Sequence, residues 1–215
     1  MVAITLGTRE TEIVRSAYRV MARRGSHRLS LQEIADEAGV SKGLLLYHFG
    51  SKDNLLLASM QWALSRTAER IRRKLEGAGG GSEVIGALMD AVFVGPEANR
   101  DFYLFYVDLV EHLARVPSFA TLSEMLKEVI NGHYAEIIAV GRDQGVFEVV
   151  DVELAARHMR ALIEGTFLQW LQAPDWRRTH RQWRNDCQEA LETLLGVNRR
   201  GRPVLTHQTR VQTRV

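Results

Sequence analysis

The sequence predicts an all-α protein: an N-terminal three-helix helix-turn-helix domain followed by a C-terminal helical bundle. Three observations lead there. Apolar residues recur every three to four positions through most of the 215 residues. Val, Ile and Thr are not gathered into the alternating runs that half-buried strands require. Ser30, Ser41 and Ser51 each stand where a helix would begin, with short turns between successive helices.

The first helix is expected over about 9–24, capped by Thr8 and ended near Gly25, with Ile13, Val14, Ala17, Val20 and Met21 on its apolar face. Ser30 and Glu33 form a capping-box pattern for a second helix bearing Leu31, Ile34, Ala35 and Ala38, closed by Gly39. Ser41 caps a third helix reaching His48, and two of Leu44, Leu45 and Leu46 are expected to pack on the first two helices. Ser51 caps a long fourth helix whose stripe of Leu57, Leu64, Ala68, Ile71 and Leu75 ends at the loop Gly77-Ala-Gly-Gly-Gly-Ser82. Five more helices follow at about 83–94, 99–114, 118–143, 151–172 and 179–195, punctuated by Gly95-Pro96, Val116-Pro117, Gly145 and Ala173-Pro174. The expected domains are 1–52, 53–197 and a basic tail over 198–215.

Apolar and charged contents of 46% and 25% exclude disordered and low-complexity classes. The single Cys187 excludes an internal disulfide and fits a reducing compartment. No apolar run has the length of a membrane span, so no membrane association and a cytoplasmic location are expected. The formal net charge is +2, and it is unevenly spread. Residues 1–52 carry +3, the acid-free tail carries +5, and the middle carries −6. Basic ends around an acidic middle suit a polyanion bound at the ends.

The run Leu31-Gln-Glu-Ile-Ala-Asp-Glu-Ala-Gly-Val-Ser-Lys-Gly-Leu-Leu-Leu-Tyr-His-Phe-Gly-Ser-Lys52 resembles the DNA-binding signature of the TetR/AcrR family of bacterial regulators. The likeness extends back through Arg9–Gly25. It implies an all-helical homodimer that binds double-stranded operator DNA and a small-molecule effector. More loosely, Phe102–Tyr106 and Ala161–Trp170 resemble the choline- and pyrimidine-responsive branches, without identifying an effector.

The chemistry of the run fits that resemblance. A recognition helix enters the major groove by its N-terminus and needs a small cap without bulky acids. Ser41, Lys42 and Gly43 supply a hydroxyl, a cation and room for close backbone approach. Helix starts near Ser30 and Ser41 can hold phosphate, with Gln32, Tyr47, His48 and Lys52 as further contacts. Leu44 could meet a thymine methyl group. Leu46 stands where family members usually carry a DNA-contacting Tyr, which Tyr47 could replace.

Trp62, Met89, Phe93, Phe102, Tyr103, Phe105, Tyr106, His133 and Tyr134 are the candidates for an effector pocket, suited to flat or apolar ligands. Met159, Ile163, Phe167, Trp170, Trp183 and Leu191, on the last two helices, are the dimer-interface candidates, with intramolecular core as the other reading. No nucleotide-phosphate or zinc-protease motif occurs, and no cofactor is expected. Asp108, Glu111 and His112 share metal-compatible spacing, though a solvated or pocket-rim face is the favoured reading of it. Cys187 and His180 lie two helical turns apart, too far for a nucleophile–base pair. An enzyme is one alternative, and a dimeric module without DNA binding is another. Arg200-Gly-Arg-Pro203 in the tail resembles an AT-hook, which lies in the minor groove of A·T-rich DNA.

Overall fold

The computed structural model describes residues 6–24, 30–76, 82–115 and 120–197. They form helices α1 (Thr8–Arg24), α2 (Leu31–Ala38), α3 (Lys42–Phe49), α4 (Lys52–Leu75), α5 (Ser82–Val92), α6 (Pro96–Arg115), α7 (Ala120–Asp143), α8 (Val152–Gln172) and α9 (Trp176–Leu194). No strand occurs among the described residues. The glycine loop at 77–81 and the tail with its Arg200-Gly-Arg-Pro203 run lie outside them.

The head is built by local chemistry. The stripe Ile13, Val14, Ala17, Val20 and Met21 is buried, packing α1 against α2, α4 and α6. Thr8 lies inside α1 rather than capping it. The start is secured by Glu10, whose carboxylate accepts from Gly7 N–H at 2.8 Å. At α2 the capping box is complete: Ser30 Oγ accepts from Glu33 N–H, and the Glu33 carboxylate accepts from Ser30 N–H at 2.9 Å. Gly39 ends α2 at φ 62, a left-handed turn where a side chain would be strained.

The body packs α4 on α5, α7 on α8 and α8 on α9. Two of its helices begin earlier than periodicity predicts. Pro96 is the first residue of α6, where its missing N–H and fixed φ are harmless. Likewise α9 begins at Trp176, whose carbonyl accepts from Trp170 Nε1–H at 2.7 Å and whose ring carries the Arg177 guanidinium at 4.1 Å.

The dimer-interface candidates need correction. Met159, Ile163, Phe167, Trp170 and Leu191 are at most 1% exposed within a single chain, and Trp183 is half-buried. Phe167 is stacked between Tyr103, at 3.9 Å, and Phe93, at 4.3 Å. The five fully buried side chains are intramolecular core, because α6, α7 and α9, with Phe93 just beyond α5, cover the inner face of α8. Its outer face instead presents Leu154, Ala161 and Leu168, with Gly165 among them. A Cβ at Gly165 would meet nothing within 4 Å.

Candidate nucleic-acid interface and effector chamber

The turn between α2 and α3 is held at both sides. Ser41 Oγ accepts from Leu44 N–H at 3.2 Å, and an Arg9 guanidinium N–H donates to the Gly39 carbonyl at 3.3 Å. One leucine, Leu45, is buried; Leu44 is half-buried and Leu46 is 39% exposed, so α3 is anchored by one leucine rather than two. Ser41, Lys42 and Gly43 are exposed at the start of α3, and Tyr47 is 83% exposed further along. At Gly43 an added Cβ would meet only Ser41 Oγ, at 3.8 Å. Nothing within the protein therefore requires glycine there.

The other predicted contacts are partly engaged. Gln32 donates to the Asp36 carboxylate at 2.8 Å. His48 Nδ1 lies 3.2 Å from Glu10 Oε1, which leaves Nε2 as the atom directed at other partners. Gly7 N–H and then His48 hold the Glu10 carboxyl below its ordinary value. Lys52 is half-buried in the first turn of α4, next to the Ser51 cap, where Ser51 Oγ accepts from Asn54 N–H at 3.1 Å.

Of the nine pocket candidates, Trp62, Phe102, Tyr103, Tyr106 and Tyr134 line one chamber of about 220 Å³ between α1, α4, α6, α7 and α8. Met89 and Phe105 are core, and Phe93 belongs to the stack on Phe167. His133 faces a separate groove between α4 and α7, with Ile71, Leu75 and Ile137. Other lining residues escaped the sequence reading, among them Tyr18, Arg66, Arg70 and Glu164. Tyr18 comes from the head, with its ring edge-on to Trp62 at 5.9 Å and to Phe105 at 5.7 Å. The i, i+4, i+8 spacing of Trp62, Arg66 and Arg70 on one helix face was the available signal for α4, whereas nothing local marks Tyr18.

Glu164 has its charge matched inside the protein. Tyr106 Oη donates to Glu164 Oε1 at 2.6 Å, Arg160 Nε donates to the same oxygen at 2.6 Å, and Arg160 also donates to Tyr106 Oη at 2.8 Å. Burial and the neighbouring Glu164 push the Tyr106 phenol up to about 12, so it stays a donor at neutral pH. On α6, His112 Nε2 meets Asp53 Oδ1 at 3.1 Å, and no group of three or more metal-ligating side chains occurs among the described residues.

A capped recognition helix on a three-helix head, joined to a body with an aromatic-lined chamber, defines a helix-turn-helix regulator. Residues 13–59 match the family described as bacterial regulatory proteins, tetR family, and residues 82–196 match the BetI-type transcriptional repressor, C-terminal family. The chain belongs to the TetR family of transcriptional regulators, and is a regulator rather than an enzyme. It is similar to the HTH-type transcriptional repressor KstR2 of Rhodococcus jostii, 28% identical over 71% of this chain and 74% of that protein. It is also similar to the HTH-type transcriptional regulator BetI of Vibrio parahaemolyticus, 30% identical over 62% of this chain and 74% of that one. Among solved structures, a transcriptional regulator of Saccharomonospora viridis in complex with choline superposes with a TM-score of 0.70 at 25% identity, covering 85% of this chain and 95% of that chain. No described helix is long and apolar enough to cross a membrane.

Proposed function

We propose that this chain is a ligand-responsive, homodimeric repressor, acting in the cytoplasm, that binds a pseudo-palindromic operator and is released by a small-molecule effector. The observation that carries the reading is the start of α3: a capped helix presenting Lys42, an open Gly43 and an exposed Tyr47, anchored behind by Leu45. Such a helix places N–H donors and a cation where phosphates and base edges lie. Two copies reading successive major grooves would sit about 34–36 Å apart.

The outward stripe of α8, Leu154, Ala161, Gly165 and Leu168, is the face we assign to the two-fold contact. Gly165 would let the partner helix approach closely. Residues 1–52 then form the DNA-binding part and 53–197 the effector and dimerisation part. The chamber is the effector site. Because Tyr18 of α1 and Trp62 of α4 both line it, a ligand there touches the head as well as the body. Release requires that the ligand prefer the conformation with misplaced recognition helices.

An electrophoretic shift on the promoter of the protein's own operon tests the reading. A discrete, salt-sensitive complex at a pseudo-palindrome is expected. Binding no tighter than to unrelated DNA at the same salt would overturn it.

A further inference from the structure

Arg70 is a half-buried cation lining the chamber, and no carboxylate among the described residues pairs with it. Its Nε donates to the Ala91 carbonyl at 2.5 Å and one terminal nitrogen donates to Thr67 Oγ1 at 3.2 Å. These neutral partners orient the guanidinium but leave its charge unbalanced. Arg66, the other arginine of the lining, is paired with Glu69 at 2.6 Å. Burial and the nearby charges of Arg66 and Arg73 push Arg70 below its ordinary value, as expected of a cation lacking a counterion. Charges withdrawn from water are ordinarily paired.

A second observation is independent of Arg70. Tyr18, Tyr103 and Tyr134 line the chamber, and none of their hydroxyls makes a hydrogen bond to another described residue. Tyr18 lies close enough to Arg70 for the two to influence each other electrostatically. Asp101 also acts on Tyr18, but Arg100 and Arg23 offset its charge.

Resting on the reading of this chamber as the effector site, we infer that the effector is a monoanionic organic acid. Its carboxylate is seated by Arg70 and the Tyr18 hydroxyl, and its aromatic or acyl body lies along Trp62, Phe102 and Tyr106. One unbalanced cation calls for one negative charge. A cationic ligand is disfavoured because Glu164, the carboxylate of the lining, is already held by Arg160 and Tyr106. Choline bound to the Saccharomonospora viridis regulator makes an organic cation the natural competitor, and the test includes it.

The test is the unfolding midpoint of the full chain with millimolar cinnamate or octanoate, against cinnamyl alcohol, octanol and choline. The carboxylates should raise the midpoint by several degrees and the alcohols and choline should not. In Arg70→Gln the midpoint without additive should equal or exceed that of the native chain, while affinity for the carboxylates falls at least tenfold. The proposal is overturned by equal response to acids and alcohols, by choline as the strongest stabiliser, by unchanged carboxylate affinity in the variant, or by no response to either acid. Operator binding is measured separately, so a chain that binds acids but not DNA leaves this inference standing while removing the repressor reading.

Discussion

His112 on α6 and Asp53 on α4 are joined at 3.1 Å, and this pair ties the chamber's helix to the base of the head. Asp53 is the second residue of α4, next to the Ser51 cap and the turn that carries α3. Upstream on α6, Phe102, Tyr103 and Tyr106 line the chamber. Under the proposed function, a ligand that shifts α6 would act on the start of α4 through a polar contact as well as through packing.

Replacing His112 by Ala should cost under about 1 kcal/mol of global stability, because both partners are about a third exposed. Amide exchange over Leu55–Ala58 should nonetheless speed up, while exchange in the chamber-lining turns of α6 stays unchanged. Hydrogen exchange read by mass spectrometry gives both results. Unchanged protection at the start of α4 would mean that packing alone carries the coupling.

Gly43→Ala separates stability from DNA binding. The new methyl group meets only Ser41 Oγ at 3.8 Å, and a helical Gly-to-Ala change is worth roughly 0.5–1 kcal/mol. Urea unfolding should show equal or greater stability, while operator affinity falls at least tenfold in gel-shift titrations. Retained affinity would mean that the DNA backbone does not approach this residue.

Sedimentation tests the two faces of α8. Leu168→Asp, on the outer face at 42% exposure, should give a folded monomer. Phe167→Ala, with its ring between Phe93 and Tyr103, should lose about 3–5 kcal/mol of stability instead. A Leu168→Asp chain that stays dimeric at micromolar concentration moves the two-fold contact elsewhere.

His180 gives the body a pH dependence. Its Nε2 lies 2.9 Å from Asn99 Oδ1, which also accepts from Gly95 N–H, so Nε2 carries the proton and donates. Burial holds the imidazole below its ordinary 6.5, and the folded chain takes up a proton less readily than the unfolded one. Its contribution to stability is complete above pH 6.5 and declines as pH falls from there to the lowered folded value. His180→Gln, which keeps an amide donor, should remove that slope. Urea midpoints between pH 7 and pH 5 will measure it.

Local rules decided what could be read in advance. Ser30, Ser41 and Ser51 announce three helices because a cap bonds a backbone N–H three residues away, all within one short segment. The recognition helix and its exposed residues were legible for the same reason. Periodicity also found the stripe of Met159, Ile163 and Phe167, but a stripe does not say what covers it, and here α6, α7 and α9 do. Tyr18 escaped notice because its place in the chamber depends on α1 crossing α4 and α6. Arg70 and Glu164 escaped because a charge in an aromatic lining breaks the pattern that identifies the lining. The lone buried Leu45 was likewise a matter of depth rather than of spacing.

The anchoring of α3 by Leu45, with Phe49 packed beside the core, bears on how such a head can change over evolutionary time. With Leu45 filling the core and the Ser41 and Gly50 ends fixing the helix, Lys42, Gly43, Leu46 and Tyr47 answer to no internal neighbour for the fold's sake. Mutations at those positions can alter which operator is preferred without eroding the scaffold that presents them. After gene duplication, a copy could thus drift to a new set of target promoters while its chamber and core stay intact. The same economy offers a designer four positions, Lys42, Gly43, Leu46 and Tyr47, in which to write a different DNA preference while Leu45 is kept.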